Sequence, residues 1–417
     1  MAPSRTIQTE SPALPVRLRW LLRLSAAGLL ATPLTGCAGG SDAGEPSAAA
    51  EPSVSVPGAG EASPAPVHDS ELHPYRLVTV VEGLEHPWGM AFLPEGDILV
   101  TERPGRLRLV REGSLLPESV TGVPAVWAQG QGGLLDVALH PDFGSNRLVY
   151  LSFSKPGPGG TATTAVVRGE LDGMALRNVE EIFEAEGWNG LRFHFGSRLA
   201  FDAAGHLFIT VGDRGEMEEA QDPSNHKGTI VRLHDDGRIP ADNPFAGGGE
   251  GALPEIYTWG NRNPQGLAVH PITGEVWANE HGPRGGDELN LLLPGRNYGW
   301  PAVSYGINYD GSTITEFTEM QGMEPPVHHW TPSIATSGLA IYSGDAFPEW
   351  RGNFFVGALA GGHLARVEMD GRRFLREERL LTEFNQRIRD VREGPDGYLY
   401  VLVDAPAGSM VRLEPAS

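Results

Sequence analysis

The chain of 417 residues carries a formal net charge of −21, and only two of its 32 basic residues, Lys155 and Lys227, are lysines. Without a basic stripe, the composition argues against nucleic acid as a partner. The 55 glycines and 34 prolines exceed average usage, which predicts many turns and an all-β tendency, while 40% hydrophobic content is ample for a core.

The N-terminus reads as a targeting segment. Arg17, Arg19 and Arg23 form a positive n-region, and "LLRLSAAGLLATPL" is a short apolar stretch, too brief and too rich in small residues for a comfortable membrane span. It ends in "LTGC", which resembles a bacterial lipobox, and Cys37 is the only cysteine. The expectation is a lipoprotein signal over residues 1–36 with lipid attached at Cys37, so that the protein meets a membrane only through that anchor. A plain signal peptide with an incidental cysteine is the competing reading. Residues 37–72, rich in Ala, Ser, Gly, Pro and Glu, have almost nothing to bury and read as a tether. The folded domain is then expected at 73–417, on the outer side of the cytoplasmic membrane in the bacterial envelope.

From residue 85 a pattern recurs: a short apolar run, a turn built on Pro, Asp or Gly, and an alternating strand. The copies are "GMAFLPEGDILVTER" (89–103), "DVALHPDFGSNRLVYLSFS" (136–154), "SRLAFDAAGHLFITVGD" (197–213), "QGLAVHPITGEVWANE" (265–280), "SGLAIYSGDAFPEWRGNFFVGAL" (337–359) and "RDVREGPDGYLYVLVD" (389–404). Each is a hairpin signal. Their spacing suits a four-stranded unit, and six copies predict an all-β, six-bladed β-propeller of four-stranded antiparallel blades. A two-sheet sandwich with a second β domain is the alternative. Several second strands run out into polar residues ("TERPGR", "VGDRGE", "NEHGPRGGDE"), positions that a propeller gathers at one face.

Three further polar stretches immediately precede first strands: "GQGGLLD" with Gln131, "RFHFGSRL" with His194, and "WGNRNPQG" with Arg262 and Asn263. Each alone is weak, since a lone His is more often structural and an Arg-Asn pair commonly braces a turn. Together they should open on one face, where an imidazole, a guanidinium and two amides could accept a proton and stabilise an anion. The segment "NEHGPRGGDELNLLLPGRNYGWP" (279–301) has too few apolar positions for an ordinary helix or strand, and is expected as a long polar loop. On its own it could be a blade connection or a metal loop.

At these residues the sequence resembles the soluble pyrroloquinoline-quinone (PQQ) dependent sugar dehydrogenases, and most of all their bacterial aldose sugar dehydrogenase branch. The shared stretches are "GQGGLLDVALHPDF", "HFGSRLAFD", "GNRNPQGLAVHP", "EHGPRGGDELN", "NYGWP", "YGINYDG" and "RIRDVREGPDGYLYVL", which cover about residues 75–415. The resemblance implies oxidation of an aldose mono- or oligosaccharide at C1 to the lactone. PQQ would be the hydride acceptor, and electrons would pass on to an external carrier such as a periplasmic cytochrome or quinone. It makes His194 the base, places Arg262 beside the reactive carbonyl, and gives Gln131, Asn263 and Tyr309 to the cofactor. Arg387 and Arg389 would hold its carboxylates, a task suited to the guanidinium fork. It further implies calcium on the carbonyls of Gly282 and Pro283, with a second calcium at Glu288 and the backbone of Tyr298.

Two positions depart from the glucose-oxidising relatives. Ala360 stands where a cofactor-contacting lysine is expected, and Phe193 where a carboxylate precedes the base. If His194 needs an orienting carboxylate, it must come from elsewhere. Two rival readings are a calcium-dependent lactonase of the same architecture and a non-catalytic propeller that binds sugar or protein. The preferred sugar, the acceptor and the oligomeric state are not legible.

Overall fold

The structure, a computed structural model, describes residues 66–416. Cys37, the targeting segment and the tether up to residue 65 lie outside the described residues. Among those described, six antiparallel sheets stand around a ring, each built from consecutive strands except the last. Their innermost strands are Pro87–Phe92, Leu134–Leu139, Leu199–Phe201, Pro264–Val269, Thr336–Ile341 and Ile388–Glu393. Each packs beside the next, and the sixth packs beside the first, so the ring is closed. The expected six-bladed propeller is what forms.

The six sequence repeats are the inner hairpins of the six blades, as the pairing of Leu99 with Ala91, or of Val401 with Val391, shows. Alternation explains why these short strands look continuously apolar. In Ile98–Glu102, Leu99 faces the second blade while Ile98 and Val100 face the sixth. Side chains one apart point to opposite faces of a sheet, and in a ring both faces are covered. The core is accordingly divided into one apolar cluster per seam between neighbouring blades.

The sixth blade joins the chain ends. Tyr75–Leu84 pairs with Gly408–Pro415, with Leu77 opposite Leu413, so an N-terminal strand completes a sheet begun at the C-terminus. Val67–His68 adds a fifth strand to this sheet by pairing with Tyr75 and Arg76. Ordered structure thus reaches upstream of His73, where the compositional tether was expected to end. The physical reason is ion pairing: Glu71 accepts from Arg366 at 3.3 Å and also pairs with Arg376 on the fifth blade.

The two ends of the channel differ. One is apolar, lined by Met90, Phe92, Leu139, Phe201, Val269 and Ile341. The other collects the starts of the inner strands and the ends of the second strands. Between them lies a buried ionic plug. Arg198 is 1% exposed and donates through Nη1 to Asp136 (3.2 Å), through Nε to the Gln265 carbonyl (2.6 Å) and through Nη2 to the Arg389 carbonyl (3.0 Å). Its Nη1 also lies 3.0 Å from Asp390. One guanidinium therefore ties the second, third, fourth and sixth blades. Removing one partner of a buried ion network leaves uncompensated charge, at a cost of about 3–5 kcal/mol. Arg198→Ala is expected to lose about that much unfolding free energy in urea; a change below about 1 kcal/mol would show that the plug is not needed for closure.

Candidate active site

The polar end of the channel opens into a cavity of about 470 Å³ lined by residues from every blade. This lies within the roughly 300–1,000 Å³ of ligand pockets. Of the residues singled out in the sequence, Gln131, Tyr309, Arg387 and Arg389 line it. Tyr309 is at its rim, 71% exposed. Arg389 is on the inner strand of the sixth blade and Arg387 just precedes that strand, yet both reach Asp404, at 3.5 and 3.1 Å. Asp404 is also 2.9 Å from His86 Nδ1. The neighbouring arginines hold its carboxyl well below the usual range against the opposing effect of burial, whereas burial brings the Arg389 guanidinium down to about 10.

His194 sits beside this cavity in a loop with little freedom. Its backbone is left-handed (φ 59°), and its N–H donates to Gln131 Oε1 at 2.8 Å. The close approach of the next strand requires Gly212, because a Cβ there would lie 2.3 Å from the His194 carbonyl oxygen. Arg214, fully buried with its guanidinium carbon 3.6 Å from the Phe195 ring centroid, donates to the carbonyls of Leu191 (2.8 Å) and Phe193. The imidazole Nδ1 is 2.6 Å from Asp213 Oδ1, and Asp213 Oδ2 accepts from Trp300 Nε1 at 2.8 Å. This supplies the carboxylate that Phe193 cannot. Phe193 instead lies edge-on to the imidazole at 4.9 Å.

Arg262 belongs to the same constellation. Its carbonyl accepts from the Asp213 N–H at 2.8 Å, and its guanidinium lies 5.3 Å from the Trp300 ring while donating to the His281 and Gly282 carbonyls at 3.0 and 3.3 Å. His194 and Arg262 therefore share one side of the molecule. Asn263 Oδ1 accepts from the Gly196 N–H, and its Nδ2 is buried with no partner among the described residues. The buried Nε of Arg389 is likewise unpaired. A donor left over in the cationic cavity, as Arg389 Nε is, fits a ligand rich in acceptors and negative charge.

The segment 279–301 is not the loop its polarity predicts. Asp287–Leu291 is the third strand of the fourth blade, and Glu288 stands opposite Glu280 across the hairpin. The alternation is real, with Leu289 buried in the seam and Glu288 and Asn290 on the other face. The polar residues misled because they too are buried. Glu280 accepts from Asn261 Nδ2 (2.8 Å) and from the backbone N–H groups of Arg262 and Asn263, so it braces the Arg-Asn pair. Burial pushes its carboxyl up to about 7; burial and the Glu280 charge push Glu288 well above the usual range. Glu288, Tyr298, Gly282, Trp300 and Ser304 surround a second cavity of about 10 Å³, room for one water-sized particle. Pro283 is buried next to Gly306. Ala360 is exposed and brings no charge.

Sequence reasoning missed Asp213, Glu280, His281, Asp404 and Arg103. Each ends or follows the second strand of an inner hairpin. The signal was the polar residue closing repeats one, three, four and six.

Comparison with known proteins fits this geometry. The profile of the "Glucose / Sorbosone dehydrogenase" family matches residues 84–412. The chain belongs to that family. It is 46% identical to aldose sugar dehydrogenase YliI of Escherichia coli strain K12 over 337 residues, covering 80% of this chain and 91% of the relative. The solved apo-form of the soluble aldose sugar dehydrogenase from E. coli superposes with a TM-score of 0.80 at 43% identity, over 82% of this chain and all (100%) of that one. The PQQ-bound aldose sugar dehydrogenase of Streptomyces coelicolor gives 0.67 at 29% identity, over 82% and 98%. This family member thus carries a His-Asp pair, an arginine and a cationic cavity at one end of its ring.

The His-Asp pair has a pH signature. Burial lowers the His194 pKa below its ordinary 6.5, Asp213 opposes that, and the charges of Arg262 and Arg214 lower it further. A base must be neutral, so with His194 in the role of base expected from the sequence the rate is predicted to fall only as pH drops below about 6.5. Asp213→Asn removes the group that raises this pKa. Its acid limb should move to lower pH, with kcat reduced about 100-fold or more. An unshifted profile with near-normal kcat would show that Asp213 does not orient the base.

Proposed function

We propose that the protein is a PQQ-dependent aldose dehydrogenase that oxidises the sugar at C1 to the lactone. The observation that carries this is the placement of His194, hydrogen-bonded through Nδ1 to Asp213, beside a cavity whose lining presents Arg103, Arg387 and Arg389 against the single carboxylate Asp404. The likeness to a PQQ-bound aldose sugar dehydrogenase supports the reading. The rival hydrolase needs several carboxylates on a channel metal, whereas Asp404 is already engaged by His86 and Arg387.

PQQ, when bound, supplies the two-electron acceptor for the hydride leaving C1. The residues of this chain do the rest. With Nδ1 committed to Asp213, His194 Nε2 takes the C1 hydroxyl proton, and Asp213 stabilises the imidazolium that results. Arg262 brings positive charge to the side where negative charge develops. Arg387 and Arg389 would hold the cofactor's carboxylates, and Asn263 Nδ2 would offer it a fixed donor. Calcium fits the chemistry of the smaller cavity, where the half-buried Glu288 carboxyl has no Lys, Arg or His paired with it among the described residues, and the carbonyls of Gly282 and Pro283 are hard donors nearer Arg262. For localisation, the lipobox-like "LTGC" supports attachment at Cys37 on the outer side of the cytoplasmic membrane, with a periplasmic carrier as electron acceptor.

Reconstituting metal-free apo-protein with PQQ and calcium is expected to bring on aldose-dependent dye reduction. His194→Ala should lower that rate by about 100-fold or more while the cofactor still binds. No quinone absorbance on the protein after reconstitution would defeat the reading. Calcium should also raise the melting temperature of the wild type, since a ligand of the native state stabilises it, and Glu288→Gln should blunt that rise. An undiminished calcium response in the variant would remove Glu288 from the ion site.

A further inference from the structure

We propose that Arg103 is a third clamp on the cofactor's carboxylates, acting with Arg387 and Arg389 and linking the bound cofactor to the loop that carries Gln131. This rests on the PQQ reading above.

Arg103 directly follows the second strand of the first blade, Ile98–Glu102, and lines the main cavity. Its backbone is pinned on both sides: its N–H donates to the His86 carbonyl at 3.1 Å, and its carbonyl accepts from the Leu134 N–H at 3.1 Å. The guanidinium donates through Nη1 to the Gly130 carbonyl at 2.6 Å, adjacent to Gln131, while its Nε is buried without a partner among the described residues. Every other arginine that lines this cavity has a carboxylate within 4.0 Å, namely Asp404. Arg103 has none among the described residues. Asp404 is already divided between His86, Arg387 and Arg389, so it cannot neutralise a third guanidinium.

A structural arginine would satisfy its fork against the protein. Here one arm is anchored on Gly130, and the charge is left facing a cavity with two other cations. Such an arrangement is costly when empty and favourable when a polyanion enters, because each guanidinium–carboxylate pair is charge-assisted and directional. PQQ carries more than one carboxylate, so a third cation has a partner in it. Gly130 then couples the clamp to Gln131, whose Oε1 holds the His194 N–H.

The test is equilibrium titration of the full-chain apo-protein with PQQ in calcium buffer, followed by tryptophan quenching, for wild type, Arg103→Ala, Arg103→Lys and Arg387→Ala. Arg103→Ala is expected to weaken binding by on the order of 10- to 100-fold, with Arg103→Lys in between. The trimethyl ester of PQQ, which offers no carboxylate, should bind wild type and Arg103→Ala alike. Equal PQQ affinity in wild type and Arg103→Ala, with Arg387→Ala weakened, overturns the role of Arg103 and leaves the cofactor reading standing. An equal loss for PQQ and its ester also overturns it, since the residue would then act by shaping the loop. Failure of the wild type to bind PQQ at all overturns the cofactor reading itself. Matching circular dichroism of the variants keeps misfolding from being mistaken for lost affinity.

Discussion

The site depends on closure of the ring around the buried guanidinium of Arg198. That group lies between Asp136 and Asp390 and also bonds to the Gln265 and Arg389 carbonyls. Asp136 in turn accepts from Arg392, and Asp390 Oδ2 from the Met90 N–H of the first blade. The inner strands must come close enough to reach these charges, which is why Gly89 and Gly338 face Asp136 and Asp390: a Cβ at either would lie 2.4 Å from a carboxylate oxygen. Charges this deep are tolerated only when paired and hydrogen-bonded. The plug thereby fixes the radius of the channel and, with it, the positions of Gln265 and Arg389.

From that constraint the functional arrangement follows. In an antiparallel hairpin the start of one strand and the end of the next lie together, so six inner hairpins place twelve strand ends at one mouth of the channel. His194, Arg262–Asn263 and Arg387 come from the starts; Arg103, Asp213, His281 and Asp404 come from the ends. The separation in sequence is large, but each residue is held by a short local device. Glu280 braces the backbone of Arg262 and Asn263, and Arg214 pins the carbonyls of Leu191 and Phe193 just ahead of His194. Rigid strands carry the chemistry, as precise positioning of a base and an electrostatic partner requires.

Much of this was legible in the sequence. The hairpin repeats gave the blade number because both faces of each strand are buried, which leaves the turn residues as clear punctuation. The residues preceding first strands were legible because polar side chains beside glycine stand out there. The rest was hidden by tertiary pairing. Asp213 is far from its Trp300 partner in the chain, and nothing local marks it as the orienting carboxylate in place of Phe193. Asp287–Leu291 reads as loop because hydropathy assumes buried residues are apolar, whereas Asp287 and Asn290 are buried polar groups and Glu288 is half-buried. Upstream of the start expected near His73, Glu71 is held by arginines of the fifth blade, a pairing that composition cannot reveal.

The claim beneath all of this is that one mouth of the ring holds an anionic quinone with its reactive edge toward an imidazole and its carboxylates toward arginines. A crystal structure of the protein soaked with PQQ and calcium tests it most directly. The account requires density in the cavity of about 470 Å³, with carboxylates against Arg387 and Arg389 and the quinone edge between Arg262 and His194. Density at the apolar mouth lined by Phe92 and Ile341, or an orientation that turns the carboxylates toward His194, would contradict it.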